Sequence, residues 1–342
     1  MNLHHPLLAE ELQNIAALEL PWDALAGKTV AVTGATGLVG NYLLRALDAV
    51  SRAHGLRLRL TALCRRPESA RERLRGIENL SFLPYDACAP LDEGFRADFV
   101  VHAASNAHPL AFSSDPVGTM QANLLGTMRL LEKLRSTSGR LLFLSTGEIY
   151  GENPNLASFD EHSFGSIDPM RFRSCYPESK RAAETLCASY AQQYGVDALA
   201  ARLTYTYGPT ITAENSRADA QFLRCALEKK DIVLKSPGTQ IRSYCYAADT
   251  ASALITLMLR GEAGEAYNVA NPTCSPSIRE YAQTLADLAG VNLVFDLPPE
   301  AERAGYSAVT RAVLDPGKLM RLGWRAAYDL RTGLAHTLEI SR

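Results

Sequence analysis

Short apolar runs alternate, over the first two thirds of the chain, with segments whose apolar residues recur every three or four positions. The runs at 28–33, 57–63, 80–84, 98–103 and 140–145 predict strands; the segments 38–52, 68–75 and 116–135 predict helices. Phe99-Val100-Val101 and Leu141-Leu142-Phe143-Leu144 are apolar without a break, as strands are when helices cover both faces of a parallel sheet. A helix at 175–194 and a strand at 198–203 continue the alternation, which predicts an α/β, doubly wound parallel sheet. Ahead of it, Leu7 to Leu20 has helical spacing and predicts a short helix packed on the core, within an amino-terminal extension of residues 1–26. After Tyr207-Gly208-Pro209 the pattern thins. Helices near 217–229, 248–260, 276–289 and 328–341 are joined by segments rich in Asn, Ser and Thr. The expected division is a doubly wound domain over 27–208 and a smaller α/β lobe over 209–342, with about 239–274 returning in part to the first domain.

The chain has 342 residues, 47% hydrophobic and 21% charged, an ordinary globular balance. A net charge of −2 offers no basic footprint, so no nucleic-acid partner is expected. No apolar run approaches the roughly 20 residues that span a bilayer, so no membrane partner is expected either. The amino terminus lacks the basic-then-apolar layout of a secretion signal. Seven scattered cysteines, never in a Cys-x-x-Cys pair, argue against a disulfide framework or a zinc site and for a reducing, cytoplasmic setting. His4 and His5 have no spaced third ligand and read as surface residues, so no metal is expected.

The first chemistry lies at Thr33-Gly34-Ala35-Thr36-Gly37-Leu38-Val39-Gly40, between a predicted strand and a predicted helix. Gly34, Gly37 and Gly40 permit a sharp strand-to-helix turn, close backbone approach to a pyrophosphate, and tight helix–strand packing. The N–H groups of Thr36, Leu38 and Val39, with the positive end of the helix dipole, then face the phosphates. A dinucleotide is the implied cofactor, NAD or NADP. An NAD-preferring fold places a carboxylate at the end of the second strand; this strand ends in Cys64-Arg65-Arg66. The two guanidinium groups suit a 2′-phosphate, so NADP is expected to be accepted at least as well as NAD. Asp86, after the third strand, either accepts from the adenine amino group or serves a turn.

Tyr176 and Lys180, four apart at the start of the 175–194 helix, share one helical face. An ammonium beside a phenol favours phenolate and is expected to bring the phenol towards neutrality. Such a tyrosine can take the proton of a sugar hydroxyl while hydride leaves the same carbon, and Lys180 can bond the nicotinamide ribose. Thr146 ends the fifth strand, 30 residues before Tyr176, where its hydroxyl can bridge the reacting oxygen and the phenol.

Taken together, the Gly34/Gly37/Gly40 turn, Ser145-Thr146-Gly147-Glu148-Ile149-Tyr150-Gly151, Tyr176/Lys180, Arg202 and Tyr207-Gly208-Pro209 resemble an extended short-chain dehydrogenase/reductase of the nucleotide-sugar epimerase/dehydratase family. Within that family the chain resembles UDP-glucuronate decarboxylases, through His102-Ala103-Ala104-Ser105, Arg173 to Arg181, and Gln240-Ile241-Arg242-Ser243-Tyr244. The resemblance implies a Rossmann fold with a substrate-binding lobe, a tightly bound NAD or NADP, a nucleotide-sugar substrate and a homodimer formed through helices 116–135 and 175–194. It also implies transient oxidation of the sugar at C4, a second step, and return of the hydride, redox-neutral overall. Ala87, Ala103 and Ala104 fall at cofactor positions. Ser105, Glu148, Arg173, Tyr205, Arg217 and Arg242 fall at substrate positions, with Glu161 and Asn215-Ser216 as weaker pocket candidates.

Two departures matter. The 4,6-dehydratases carry Asp-Glu after the Thr, and decarboxylases Ser-Glu; here it is Gly147-Glu148. A glycine cannot protonate a leaving hydroxyl, so dehydration is disfavoured, while epimerisation and decarboxylation stay open. Tyr205 stands where the family has Asn, which must reshape the sugar pocket. An NADP-dependent reductase of a small carbonyl compound, and a non-catalytic NADP-binding sensor, are the remaining alternatives.

Overall fold

The structure is a computed structural model that describes residues 1–297 and 310–342. Seven parallel strands form its central sheet: β1 (Thr29–Thr33), β2 (Arg59–Cys64), β3 (Leu80–Pro84), β4 (Phe99–His102), β5 (Arg140–Thr146), β6 (Ala198–Leu203) and, after four short strands of the lobe described below, β11 (Ala266–Val269). Their order is β11-β6-β5-β4-β1-β2-β3. The chain therefore reverses direction across the sheet between β1 and β4, the crevice where doubly wound folds bind ligands.

Helix α1 (Pro6–Ala16) precedes the sheet; α2 (Leu38–His54), α3 (Pro67–Arg73), α4 (Pro109–Ser114), α5 (Pro116–Thr137) and α6 (Cys175–Tyr194) follow in turn. The boundaries have local causes. Asp115 Oδ1 accepts from Gly118 N at 2.9 Å ahead of Pro116, starting α5. Gly55 at φ 63° and Gly195 at φ 69° end α2 and α6 in the left-handed conformation. The 175–194 helix and the 198–203 strand match the sequence pattern to the residue. The amino-terminal helix is shorter than expected: it stops at Ala16, and Pro21 with the 3-10 turn Trp22–Leu25 redirects the chain into β1.

Beyond residue 204 the polypeptide is richer in strands than its pattern suggests. β7 (Tyr205–Tyr207) pairs with β10 (Tyr244–Tyr246), β8 (Ile232–Leu234) with β12 (Leu293–Phe295), and β9 (Ile241–Arg242) with β13 (Arg311–Ala312). Each has two or three residues, too few for a period to declare itself. Helices α7 (Ala218–Leu227), α8 (Ala247–Arg260), α9 (Ile278–Ala289), α10 (Gly317–Arg321) and α11 (Leu330–Ser341) complete the fold. Of these, α8 packs on α2, and β11 extends the main sheet beside β6. Among the described residues no helix is long and apolar enough to cross a membrane, and all seven cysteines are free thiols.

Candidate active site

A continuous cleft of about 2090 Å³ runs from the carboxyl ends of β1, β2 and β4 past β5 to β7 and α7. That exceeds the roughly 300–1,000 Å³ of a site for one drug-sized ligand, and leaves room for two ligands end to end. Every candidate cofactor, catalytic and substrate residue of the primary set lines it.

At one end the glycine turn is built as a cradle. Gly34 has φ +61°, and a Cβ there would stand 2.7 Å from the Ala103 carbonyl oxygen; a Cβ on Gly40 would stand 2.5 Å from that of Gly34. Gly37 caps α2 with no side-chain acceptor of its own, so the first N–H groups of that helix point into the cleft without a capping side chain. These features fit a dinucleotide pyrophosphate. Thr33 Oγ1 accepts from Ala104 N at 2.9 Å and bonds His102 Nδ1 at 2.8 Å, tying β1 to the end of β4. Burial, with the Lys180 cation nearby, pushes His102 down to about 3, so this imidazole is neutral.

Arg73, which sequence reasoning passed over, braces the turn. Its Nε donates to Thr36 O at 2.6 Å and its Nη2 to Thr210 O at 2.7 Å, while Thr210 Oγ1 donates to Leu38 O at 2.7 Å. Arg73 lies in a charge-rich helix, and nothing local marks it apart from its exposed neighbours. Arg65 and Arg66 are exposed at the cleft wall beyond β2. Asp86 also lines the cleft, with Oδ1 accepting from Cys88 N at 2.8 Å, so it forms a turn and has one carboxylate oxygen outside that bond. Ala87 is fixed through its carbonyl by Arg129 Nη1 at 2.9 Å.

At the other end, β5 delivers Thr146 to the sheet edge. Its Oγ1 accepts from Glu148 N at 3.3 Å and lines the same cleft as Tyr176, on the first turn of α6. The Tyr176 ring is 8% exposed and stacks on Phe112 with centroids 5.5 Å apart. Arg173 lies 4.2 Å over the same Phe112 and pairs with Glu148 at 2.7 Å. Lys180, one turn along, is 2% exposed; its Nζ donates to Leu144 O at 2.6 Å and sits 4.6 Å from the Phe143 centroid. Burial lowers Lys180 to about 7, despite the opposing field of Glu184. Burial likewise raises the Tyr176 phenol above its ordinary value, with Glu148 adding to the rise and Thr146 opposing it. The expected phenol drawn towards neutrality by its lysine is thus corrected: desolvation outweighs the cation, which is turned onto the main chain.

The far wall carries Tyr205, Arg217 and Arg242. Arg217 Nη2 donates to Thr206 O at 2.8 Å and lies 3.2 Å from Asp219 Oδ2. Arg242 is buried, donates through Nη1 to Ile241 O at 2.9 Å and places its charge in the field of the Tyr205 phenol. Arg217 Nε, Ser105 Oγ and Ser145 Oγ are buried and unpaired among the described residues, donors suited to a polar, anionic ligand. Asn215 and Ser216 serve the loop instead: Asn215 Oδ1 accepts from Arg217 N at 3.0 Å, and Ser216 Oγ from Leu110 N at 3.0 Å. Glu161 is a correction. It lies outside the cleft, where its Oε1 accepts from Asn268 N at 2.7 Å, and Arg202 is likewise spent on Glu184 at 2.8 Å and Tyr150 OH at 2.9 Å. Beside Thr146, a Cβ on Gly147 would meet Leu314 Cδ1 at 3.0 Å.

A doubly wound parallel sheet with a glycine cradle at its switch point defines a dinucleotide-binding α/β protein. Comparison with known proteins narrows this. Residues 30–270 match the NAD dependent epimerase/dehydratase family, and the chain belongs to that family, as an extended short-chain dehydrogenase/reductase. It is 31% identical to UDP-glucuronic acid decarboxylase 5 of Arabidopsis thaliana over 262 residues, covering 76% of this chain and 74% of that one. It is 30% identical over 312 residues to UDP-glucuronic acid decarboxylase 1 of Danio rerio, covering 91% and 72%. Among solved structures, the UDP-glucose 4-epimerase of Thermus thermophilus in complex with NAD superposes with a TM-score of 0.76 at 28% identity, covering 91% of this chain and 98% of that chain.

Proposed function

We propose that the protein modifies a nucleotide-linked sugar through transient oxidation at C4, redox-neutral overall, with loss of a C5 carboxylate from a uronate as the second step. One observation carries the first part: Thr146, Tyr176 and Lys180 share a cleft with the glycine cradle. When bound, NAD(P)+ supplies reversible hydride acceptance. Thr146 would orient the Tyr176 oxygen towards the sugar 4-hydroxyl; Tyr176, its phenol raised by burial, would take that proton with the bound cofactor's positive charge offsetting the rise, and Lys180 would hold the cofactor ribose. Arg217 and Arg242 bind the diphosphate and the substrate's negative charge.

The second step is favoured by two facts. The position after Thr146 carries no acid, and a side chain there would press on Leu314 Cδ1 at 3.0 Å, which disfavours water loss. Decarboxylation of a 4-keto uronate needs no base, and the relatives at 30–31% identity are UDP-glucuronic acid decarboxylases. C4 epimerisation is the second reading, supported by the likeness to the Thermus 4-epimerase. Arg65 and Arg66 favour NADP at least equally with NAD. The exposed Val117, Met120 and Met128 along α5 support homodimerisation through α5 and α6. The test is incubation of the purified protein with UDP-, GDP-, CDP- and dTDP-sugars including uronates, read by mass and proton NMR. Loss of CO2 supports decarboxylation, an unchanged mass with altered couplings epimerisation, and turnover only with stoichiometric external NADPH would overturn both.

A further inference from the structure

Decarboxylation leaves a carbon that must be protonated, and the cleft holds a second phenol placed for that work. We propose that Tyr205 is the proton donor to C5 after the carboxylate leaves; this role rests on the decarboxylation reading above.

Tyr205 opens β7, whose pairing with β10 sets it opposite Tyr244. Its ring packs on Tyr244 with centroids 5.6 Å apart, and Tyr244 in turn stacks on Tyr281 at 4.5 Å, so the side chain is held by aromatic neighbours rather than free to swing. Its phenol lies in the field of the Arg242 guanidinium. Tyr205 and Tyr176 line the same cleft, and both lie in the fields of Glu148 and Arg217. Of the other protic groups there, Glu148 is engaged with Arg173 at 2.7 Å, and Thr146, Ser105 and Ser145 are alcohols, far weaker acids than a phenol. Position 147, a glycine, offers no proton. Burial and Glu148 keep the Tyr205 phenol protonated at neutral pH, as a donor must be.

The step balances. The C5–C6 bond of the 4-keto uronate breaks, its electron pair moves through C5–C4 onto O4, and CO2 departs from an enolate. As the enolate collapses to the ketone, the pair forms a C5–H bond with the Tyr205 proton. The O–H electrons stay on Tyr205 as phenolate beside Arg242 and Arg217, until water returns a proton. No oxidant is consumed in this step. A donor fixed on one wall delivers the proton to one face only.

The experiment is turnover of UDP-glucuronate by the full chain in D2O, comparing the parent protein with Tyr205→Phe, which keeps the ring. The parent should release CO2 and place one deuterium at C5 in a single configuration. The variant should still give a single-turnover burst of reduced nicotinamide and release CO2. The C5 enolate and its enol, which precede the 4-keto pentose, should accumulate, with final product roughly a hundredfold slower and deuterium in both C5 configurations. Configurationally pure product at the parent's rate would overturn the role, and so would loss of the burst, which would make Tyr205 a binding residue only. A parent protein that releases no CO2 overturns the decarboxylation reading itself, a failure visible before any variant is made.

Discussion

The Nζ of Lys180 donates to the Leu144 carbonyl oxygen at 2.6 Å, across the junction of α6 and β5, in a position 2% exposed. A cation there lacks the water it needs, and burial lowers its value from 10.5 to about 7. The folded protein binds this proton less tightly than the unfolded chain, so the group's contribution to stability rises with pH between about 7 and 10.5 and is a cost below. Lys180→Met should therefore abolish turnover yet melt higher at pH 6, by roughly 2–4 °C for about 1–2 kcal/mol. The gain should vanish near pH 10. Melting curves across this range check it; a variant that melts lower at pH 6 contradicts the buried-cation assignment.

Removing only the phenolic oxygen, in Tyr176→Phe, should slow turnover by about 10²–10⁴. Phe112 stacks on the ring rather than the oxygen, so the fold and the affinity for NAD(P) should change little. Steady-state rates with cofactor titration by fluorescence decide this, and turnover within a few-fold of the parent would count against the proton role.

How much of such a site is legible in sequence alone? The glycine turn, Thr146, Tyr176 and Lys180 are legible as far as their placement in one cleft, because each couples a local element to a residue type. Arg73 is not, because its partners Thr36 and Thr210 lie 37 and 137 residues away. The two- and three-residue strands β7 to β10 escape for want of a period, although they carry Tyr205 and Arg242. Glu161 misleads for the opposite reason: a carboxylate near catalytic sequence looks like pocket chemistry, when its work is to hold Asn268. The lysine–phenol field is overestimated because sequence spacing says nothing of desolvation.

Gly147 and Leu314 should behave as a coupled pair. Gly147→Ser forces an oxygen-bearing side chain against Leu314 Cδ1, where even a Cβ would stand at 3.0 Å, and should cost about 1–3 kcal/mol. Leu314→Ala alone should cost about 2–5 kcal/mol. The double variant should be more stable than the sum of the two costs by roughly 0.5–3 kcal/mol. Denaturant melts of the four proteins measure the coupling, and strict additivity would show that the two side chains do not compete for space.

Arg65 and Arg66 are exposed at the end of β2 with no carboxylate beside them in sequence. Replacing both with Ala should weaken NADP binding by roughly tenfold or more, as expected for the loss of charge-assisted bonds of about 1.5–3 kcal/mol. NAD affinity should hold within a few-fold. Equal losses for both cofactors would mean that the arginines read the shared pyrophosphate and not a 2′-phosphate.

The most direct test follows a single atom. A nucleotide sugar deuterated at C4 is turned over in ordinary water with unlabelled NAD(P)+ in excess, and the product is read by mass and NMR. Transient oxidation by a retained cofactor predicts that deuterium stays on C4 of the product. Its loss to free nicotinamide or to solvent, or product formed with that C–D bond never broken, as shown by the absence of any isotope effect or reduced-nicotinamide signal, would contradict it.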